Sequence, residues 1–168
     1  TFIDNITTVD KFEGPRAMID LFKLVLAYYY SPMAKGSNSI KQILPAVIHD
    51  SSLLRKKYGQ SIYGKQKEVK SLNFDSHVWI DEKFGNDPYK TLPPLFEEYE
   101  TESLDRMVEE FEELADGGAA MTAYNILQFS EIIPDQRRKL EEGLLRYCEL
   151  DTLAMVMIVE GWKHLAFR

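Results

Sequence analysis

Leu144-Leu145-Arg146-Tyr147-Cys148-Glu149-Leu150-Asp151-Thr152-Leu153-Ala154 sits inside the longest apolar-periodic segment of this 168-residue chain. Pro134 opens that segment, because proline suits a first helical turn, where its missing N–H has no intrahelical partner to lose. Leu140, Leu144, Leu145, Cys148, Leu153, Ala154, Met157, Ile158 and Leu165 then recur at helical spacing and predict one long helix with a buried stripe. Cys148 reads as a small buried apolar residue, and Met155 and Met157 as helix packing. Tyr147 and Asp151 are four residues apart, so the phenol and the carboxylate project from one face, one turn apart.

Upstream, Ser103 begins a helix with Leu104, Met107, Val108, Phe111, Leu114 and Ala115 on one face and acids on the other, stopped by Asp116-Gly117-Gly118. Ala119 to Phe129 follows as a helix whose alanines permit close packing. Nearer the N-terminus, Met18, Leu21, Phe22 and Val25 predict a helix running into Tyr28-Tyr29-Tyr30 and ended by Ser31-Pro32. Ser37, Asn38 or Ser39 caps the next, with Ile40, Ile43, Leu44 and Val47 as its core face and Pro45 expected to kink it or end it early. Between His49 and Pro94 the pattern is irregular; a short helix from Leu53 to Tyr58 and a brief strand from Ser76 to Ile80 are predicted within it. A connection of this length in a compact domain is a lid, a binding loop or a partly disordered stretch. The reading is therefore one unit in three stretches: N-terminal helices over 1–48, a long irregular excursion over 49–94, and C-terminal helices over 95–168 carrying Tyr147 and Asp151.

Composition sets the outer limits. The chain is 45% hydrophobic and 28% charged, a globular profile with enough apolar residues for one core. No apolar run approaches the roughly 20 residues of a membrane-spanning helix, no export signal is visible, and a single cysteine excludes an internal disulfide; a cytoplasmic protein without a membrane partner is expected. The first residue is Thr1 and not methionine, so the chain reads as a piece of a longer protein. A net charge of −7 argues against nucleic-acid binding by bulk electrostatics, yet the charge is segregated. From Ser31 to Phe74 eight basic residues face Asp50 and Glu68, a balance of +6; from Phe96 to Asp116 ten acids face Arg106, a balance of −9. Such blocks are solvated surfaces, phosphate-contacting patches or interaction strips.

Tyr-x-x-x-Asp has a definite chemical use: the carboxylate helps hold a divalent cation while the phenol orients a water for in-line attack on a phosphodiester. The plain alternative is a half-buried tyrosine beside a surface aspartate. His49, His77 and His164 are too dispersed for a metal cluster and read as structural or solvated.

Tyr147-Cys148-Glu149-Leu150-Asp151-Thr152-Leu153-Ala154-Met155-Val156 resembles the third motif, in its tyrosine form, of DEDD-type 3′-to-5′ exonucleases, as it occurs in a bacterial family of uncharacterised domains. Ile19-Asp20-Leu21, Tyr28-Tyr29-Tyr30-Ser31-Pro32, Ser39-Ile40-Lys41-Gln42-Ile43-Leu44-Pro45-Ala46, Asp87-Pro88-Tyr89, Leu92-Pro93-Pro94 and Asp116-Gly117-Gly118-Ala119-Ala120 resemble the same family in the same order, so the likeness runs from Ile19 to Trp162.

The resemblance implies a ribonuclease H-like hydrolase domain in which two metal ions, Mg2+ or Mn2+, are held by four acids spread over three motifs. The first, Asp-x-Glu on an opening strand, is absent here, since no aspartate is followed two residues later by glutamate. The second belongs upstream of Asp20, which itself resembles an aspartate near such sites that is not a metal ligand. Tyr147 and Asp151 carry over as catalytic residues, with Asp151 the metal ligand. Ser39-Ile40-Lys41 resembles the segment framing the substrate channel, which makes Lys41 a candidate phosphate contact or a plain surface lysine. Lys56, Lys57, Lys65 and Lys67 are candidate phosphate clamps, predicted to lie on the side that Tyr147 and Asp151 face.

The expected fold is mainly α: the C-terminal helical portion of an RNase H-like α/β exonuclease domain, with little or no sheet of its own. The expected function is part of a metal-dependent nuclease acting on DNA or RNA, inactive as this fragment; the competing reading is a non-catalytic helical binding or assembly module of a larger protein. Helix faces that would cover a missing sheet predict burial by the rest of the protein or by a homodimer.

Overall fold

The computed structural model describes residues 2–9, 12–92 and 118–167, and the chain is mainly helical. The helix predicted from Ser103, its Asp116-Gly117 stop and the acidic strip lie outside the described residues. A short helix α1 (Phe2–Ile6) leads into a two-residue antiparallel ladder, β1 (Thr8–Val9) against β2 (Phe12–Glu13), with Val9 opposite Phe12. Among the described residues this is the whole of the sheet.

Helix α2 (Leu21–Tyr28) begins later than Met18 because Asp20 caps it, its carboxylate accepting from the backbone N–H of Phe22 and Lys23. It ends at Tyr29, before Ser31 and Pro32, which open a 3-10 turn, Pro32–Ala34. Helix α3 (Ile40–Asp50) starts after Ser39 and buries Ile43, Leu44, Ala46, Val47 and Ile48. Pro45 does not end it early, one of the two outcomes expected of it, since the helix continues to Asp50. An interior proline costs about 3 kcal/mol. Beyond it, Ala46, Val47 and Ile48 are fully buried, and each large aliphatic contributes about 1.5–3 kcal/mol, so the packing prevails.

Helix α4 (Ser52–Tyr58) turns off α3 at Ser51, whose buried hydroxyl accepts from the Leu54 N–H and shares a hydrogen bond with His164. The chain then makes its excursion. Gly64 lies at φ 149°, where a Cβ would collide with the Asp75 carbonyl oxygen, so only glycine fits. Tyr63, Phe74, His77 and Trp79 stack edge to face around one point, with His77 and Trp79 centroids 4.1 Å apart. The strand expected over Ser76–Ile80 does not form. His77 makes one bridge to Tyr63, and Trp79 and Ile80 both donate to the Tyr58 carbonyl, so Trp79 is held by its burial, with no ladder partner alongside.

Helix α5 (Gly118–Phe129) and the 33-residue helix α6 (Pro134–Ala166) form an antiparallel pair, closed by Ala123, Ile126, Leu127 and Leu140 and by Arg137 donating to the Leu127 carbonyl. Farther along α6, Leu150, Leu153, Ala154, Met157 and Ile158 join the main core against α3, α4 and the aromatic cluster. Gly161 marks the closest approach: a Cβ there would fall inside the contact distance of Val47 and 2.9 Å from Leu54 Cδ1. The buried stripe differs from the predicted one in detail. Leu150 is fully buried, whereas Leu145 is 55% exposed and Cys148 is exposed. Met18, Ile19, Phe22 and Leu26 form an exposed apolar patch along α2 and its approach. Among the described residues no helix is long and apolar enough to cross a membrane.

Candidate functional site

Tyr147 and Asp151 line one cleft of about 520 Å3, with Lys41 from the first turn of α3 on one wall and Ala120, Met121 and Tyr124 from α5 on another. The i, i+4 spacing read from the sequence thus opens on a cavity and not on bulk solvent. The Lys41 ammonium sits over two rings, 5.4 Å from the centroid of Tyr147 and 5.8 Å from that of Tyr89. Lys41 meets Tyr147 and Asp151, more than 100 positions away in sequence, because α3 packs along α6 and presents its N-terminal turn beside Tyr147.

Tyr89 completes the cluster. It lies on a 3-10 turn, Pro88–Thr91, whose start is capped by Asp87: the carboxylate accepts from the Tyr89 N–H at 3.1 Å, and Pro88 fills the first position. The Tyr89 hydroxyl donates to Asp151 Oδ1 at 2.7 Å, and its ring lies 6.1 Å from that of Tyr147. Burial, reinforced by the Asp151 carboxylate, pushes the Tyr89 phenol far up, so it remains a proton donor across the physiological range. Burial also raises Asp87, against the opposing pull of the Tyr89 N–H, Lys90 and Lys41.

The basic run is placed elsewhere. Glu149 and Glu160 point from the side of α6 about 180° around from Asp151, given 100° per residue. The excursion grips that side: Tyr63 and Asn73 donate to Glu149, while Lys57 Nζ at 2.8 Å and the Tyr58 hydroxyl at 3.0 Å bind Glu160. Lys57 is therefore on the face opposite the cleft, which corrects the expectation that this stretch shares the side of Tyr147 and Asp151. Lys65 pairs with Asp75, and Lys56 is exposed on α4. Lys67 is half-buried in the same turn as Gly64. Of the five lysines singled out from the sequence, Lys41 alone is brought to the cleft. Two of the other four are paired with acids, Lys57 with Glu160 and Lys65 with Asp75, so the +6 block is partly neutralised.

Burial would raise Glu149, but hydrogen bonds from Ser71, Tyr63 and Asn73 outweigh it and hold its carboxyl below the usual range. Tyr58, buried beside Glu160, is pushed up to about 12. His49 pairs with Asp50, His77 is packed in the aromatic cluster and His164 meets Ser51, so the three histidines stay apart. Among the described residues no three His, Cys, Asp or Glu side chains come together as a metal cage. The cleft is lined by a single carboxylate, Asp151, which accepts a hydrogen bond from the Tyr89 hydroxyl.

Tyr89 and Asp87 were not singled out from the sequence as site residues. The signal was local, an aspartate before proline, which marks a capped turn but not what the turn reaches. Comparison of the chain with models of known families, with curated proteins and with solved structures gave no match.

Proposed function

We propose that this chain is the C-terminal part of a metal-dependent, DEDD-type 3′-to-5′ exonuclease-like domain of RNase H-like architecture, acting on DNA or RNA. The observation that carries the reading is the convergence of Lys41, Tyr147 and Asp151 on one cleft. Their chemistry divides as phosphodiester hydrolysis requires. Lys41 meets a phosphate oxygen, the Tyr147 hydroxyl orients the attacking water, and Asp151 supplies one anionic oxygen to a site for Mg2+ or Mn2+. Asp151 would be one ligand of Mg2+ or Mn2+, which would supply charge stabilisation for the attacking and leaving oxygens once further acids complete the site.

The test is made on the complete natural protein, with single-stranded, duplex and RNA substrates labelled at either end. Asp151→Asn abolishes end-dependent nucleotide release, and Tyr147→Phe slows it by about 10-fold to 10⁴-fold. The 168-residue chain alone releases nothing above its Asp151→Asn control, since a single carboxylate holds Mg2+ too weakly to order a site. Turnover that is indifferent to both substitutions sinks the reading.

One observation favours the competing reading, a binding or assembly module: an Asp151 oxygen is already satisfied by Tyr89, which a purely structural aspartate would also show. On that reading the exposed apolar patch at Met18, Ile19, Phe22 and Leu26 docks another domain or a second copy, and both Asp151→Asn and Tyr147→Phe leave assembly intact.

A further inference from the structure

We propose that the cleft between α3, α5 and α6 binds a small apolar zwitterion, a free α-amino acid with an aromatic side chain, whose carboxylate meets Lys41 and whose ammonium meets Asp151. The site needs no metal and does not rest on the nuclease-like reading. It goes beyond that reading by giving the same cleft a second, small-molecule occupant.

The cleft carries two charges of opposite sign, and neither is paired with the other. Lys41 sits over the faces of Tyr147 and Tyr89, and among the described residues its ammonium has no carboxylate partner. A ring face attracts a cation but leaves N–H donors unpaired, so an anion still gains a charge-assisted hydrogen bond there. The wall that carries Lys41 favours an anion for a second reason. Ser39, Ile40 and Lys41 line the cleft at the start of the 11-residue helix α3, and Ser39 makes no side-chain cap, so the positive end of the helix stands at that wall. Asp151 offers the opposite sign. Tyr89 donates to Oδ1 at 2.7 Å, and among the described residues Oδ2 accepts no hydrogen bond. A carboxylate with one oxygen held and the other open is an acceptor for an ammonium.

The rest of the lining is mostly apolar. Ile40, Ala120, Met121, Tyr124 and Leu144 surround the two charges in a volume of about 520 Å3, the size of a small-molecule site. A ligand matched to this lining carries one anion, one cation and an apolar body. A simple organic anion leaves Asp151 facing like charge, and an apolar amine leaves Lys41 unused. An aromatic amino acid satisfies both poles, and its ring covers apolar surface of Met121, 66% exposed, and Tyr124, 55% exposed.

The test is calorimetric titration of the complete natural protein, in buffer free of divalent cations. The probes are L-tryptophan, tryptamine, which lacks the carboxylate, and indole-3-propionate, which lacks the ammonium. L-Tryptophan should bind saturably at one site, and each analogue should bind about 10-fold more weakly or worse, the loss expected for one charge-assisted hydrogen bond. In Lys41→Met the advantage of L-tryptophan over tryptamine should vanish, and in Asp151→Asn its advantage over indole-3-propionate. Lys65→Met, which removes a lysine paired with Asp75 outside the cleft, should leave all three affinities unchanged. If L-tryptophan gives no saturable binding, or either analogue binds as tightly, the proposal is overturned; these titrations use the unsubstituted protein and depend on no variant folding. L-Tryptophan binding that is unchanged in both Lys41→Met and Asp151→Asn overturns it as well, since the ligand then sits elsewhere. None of these outcomes decides the nuclease-like reading, which is tested by nucleotide release in Asp151→Asn and Tyr147→Phe.

Discussion

Replacing Gly161 by alanine should destabilise the protein, although alanine is the better helix former by about 0.8–1 kcal/mol. The added methyl would enter a place where α6 meets both α3, at Val47, and α4, at Leu54. It would overlap Val47 Cγ1 and lie 2.9 Å from Leu54 Cδ1. Neither neighbour can yield easily: both are fully buried, and Val47 is β-branched in a helix, where a single rotamer is strongly preferred. Overpacking a filled core costs about 1–3 kcal/mol. Subtracting the propensity gain leaves a net loss of up to about 2 kcal/mol, or a fall in Tm of up to roughly 8 °C for a chain of this size. Urea unfolding should give a lower midpoint at unchanged slope, since the area buried is nearly the same. A double-mutant cycle sharpens the test. Val47→Ala makes room for the new methyl, so the two substitutions should couple by about 0.5 kcal/mol or more. A midpoint that rises in Gly161→Ala, or strict additivity in the cycle, would refute the close approach of the three helices.

Other expectations concern the charged groups and the surface. Glu149 is held below its ordinary value of 4.5, so it stabilises the fold at neutral pH and loses that contribution as pH falls through its lowered pKa. Glu149→Gln should therefore be less stable at pH 7 and show a smaller loss on acidification below about pH 4.5, followed by circular dichroism across a pH series. If Lys41 meets a phosphate, Lys41→Met in the complete protein should reduce the salt slope of single-strand binding by about 0.7, while Lys65→Met, already paired with Asp75, leaves it unchanged. Cys148 should label with a maleimide in the native state, without prior unfolding; protection from the reagent would restore the buried position that its helical spacing suggested.

Much of the helical framework was legible because it follows from local chemistry. Pro134 opens α6, the Ser31-Pro32 pair comes just after α2, and the alanine-rich stretch from Ala119 becomes a close-packed helix against α6. Local rules failed where packing outweighed them. Pro45 sits inside a helix that runs on to Asp50 because the three buried residues after it hold the turn, and Ser76–Ile80 stays irregular because, among the described residues, no neighbouring strand pairs with it.

The sequence by itself determined that Tyr147 and Asp151 share a helix face, since a spacing of four residues is a property of the helix alone. It could not determine what stands opposite that face. Lys41 and Lys57 belong to the same basic stretch and are equivalent by charge count, yet one lies over Tyr147 and the other binds Glu160 about half a turn around the same helix. Only the packing of α3 and α4 against α6 decides between them, and that packing is set by the burial of Leu44, Val47 and Leu54. Tyr89 reaches Asp151 by tertiary packing too. Its hydroxyl is placed by contacts dozens of residues away in sequence, and hydrophobic burial, being non-directional, leaves no local pattern from which such contacts could be read.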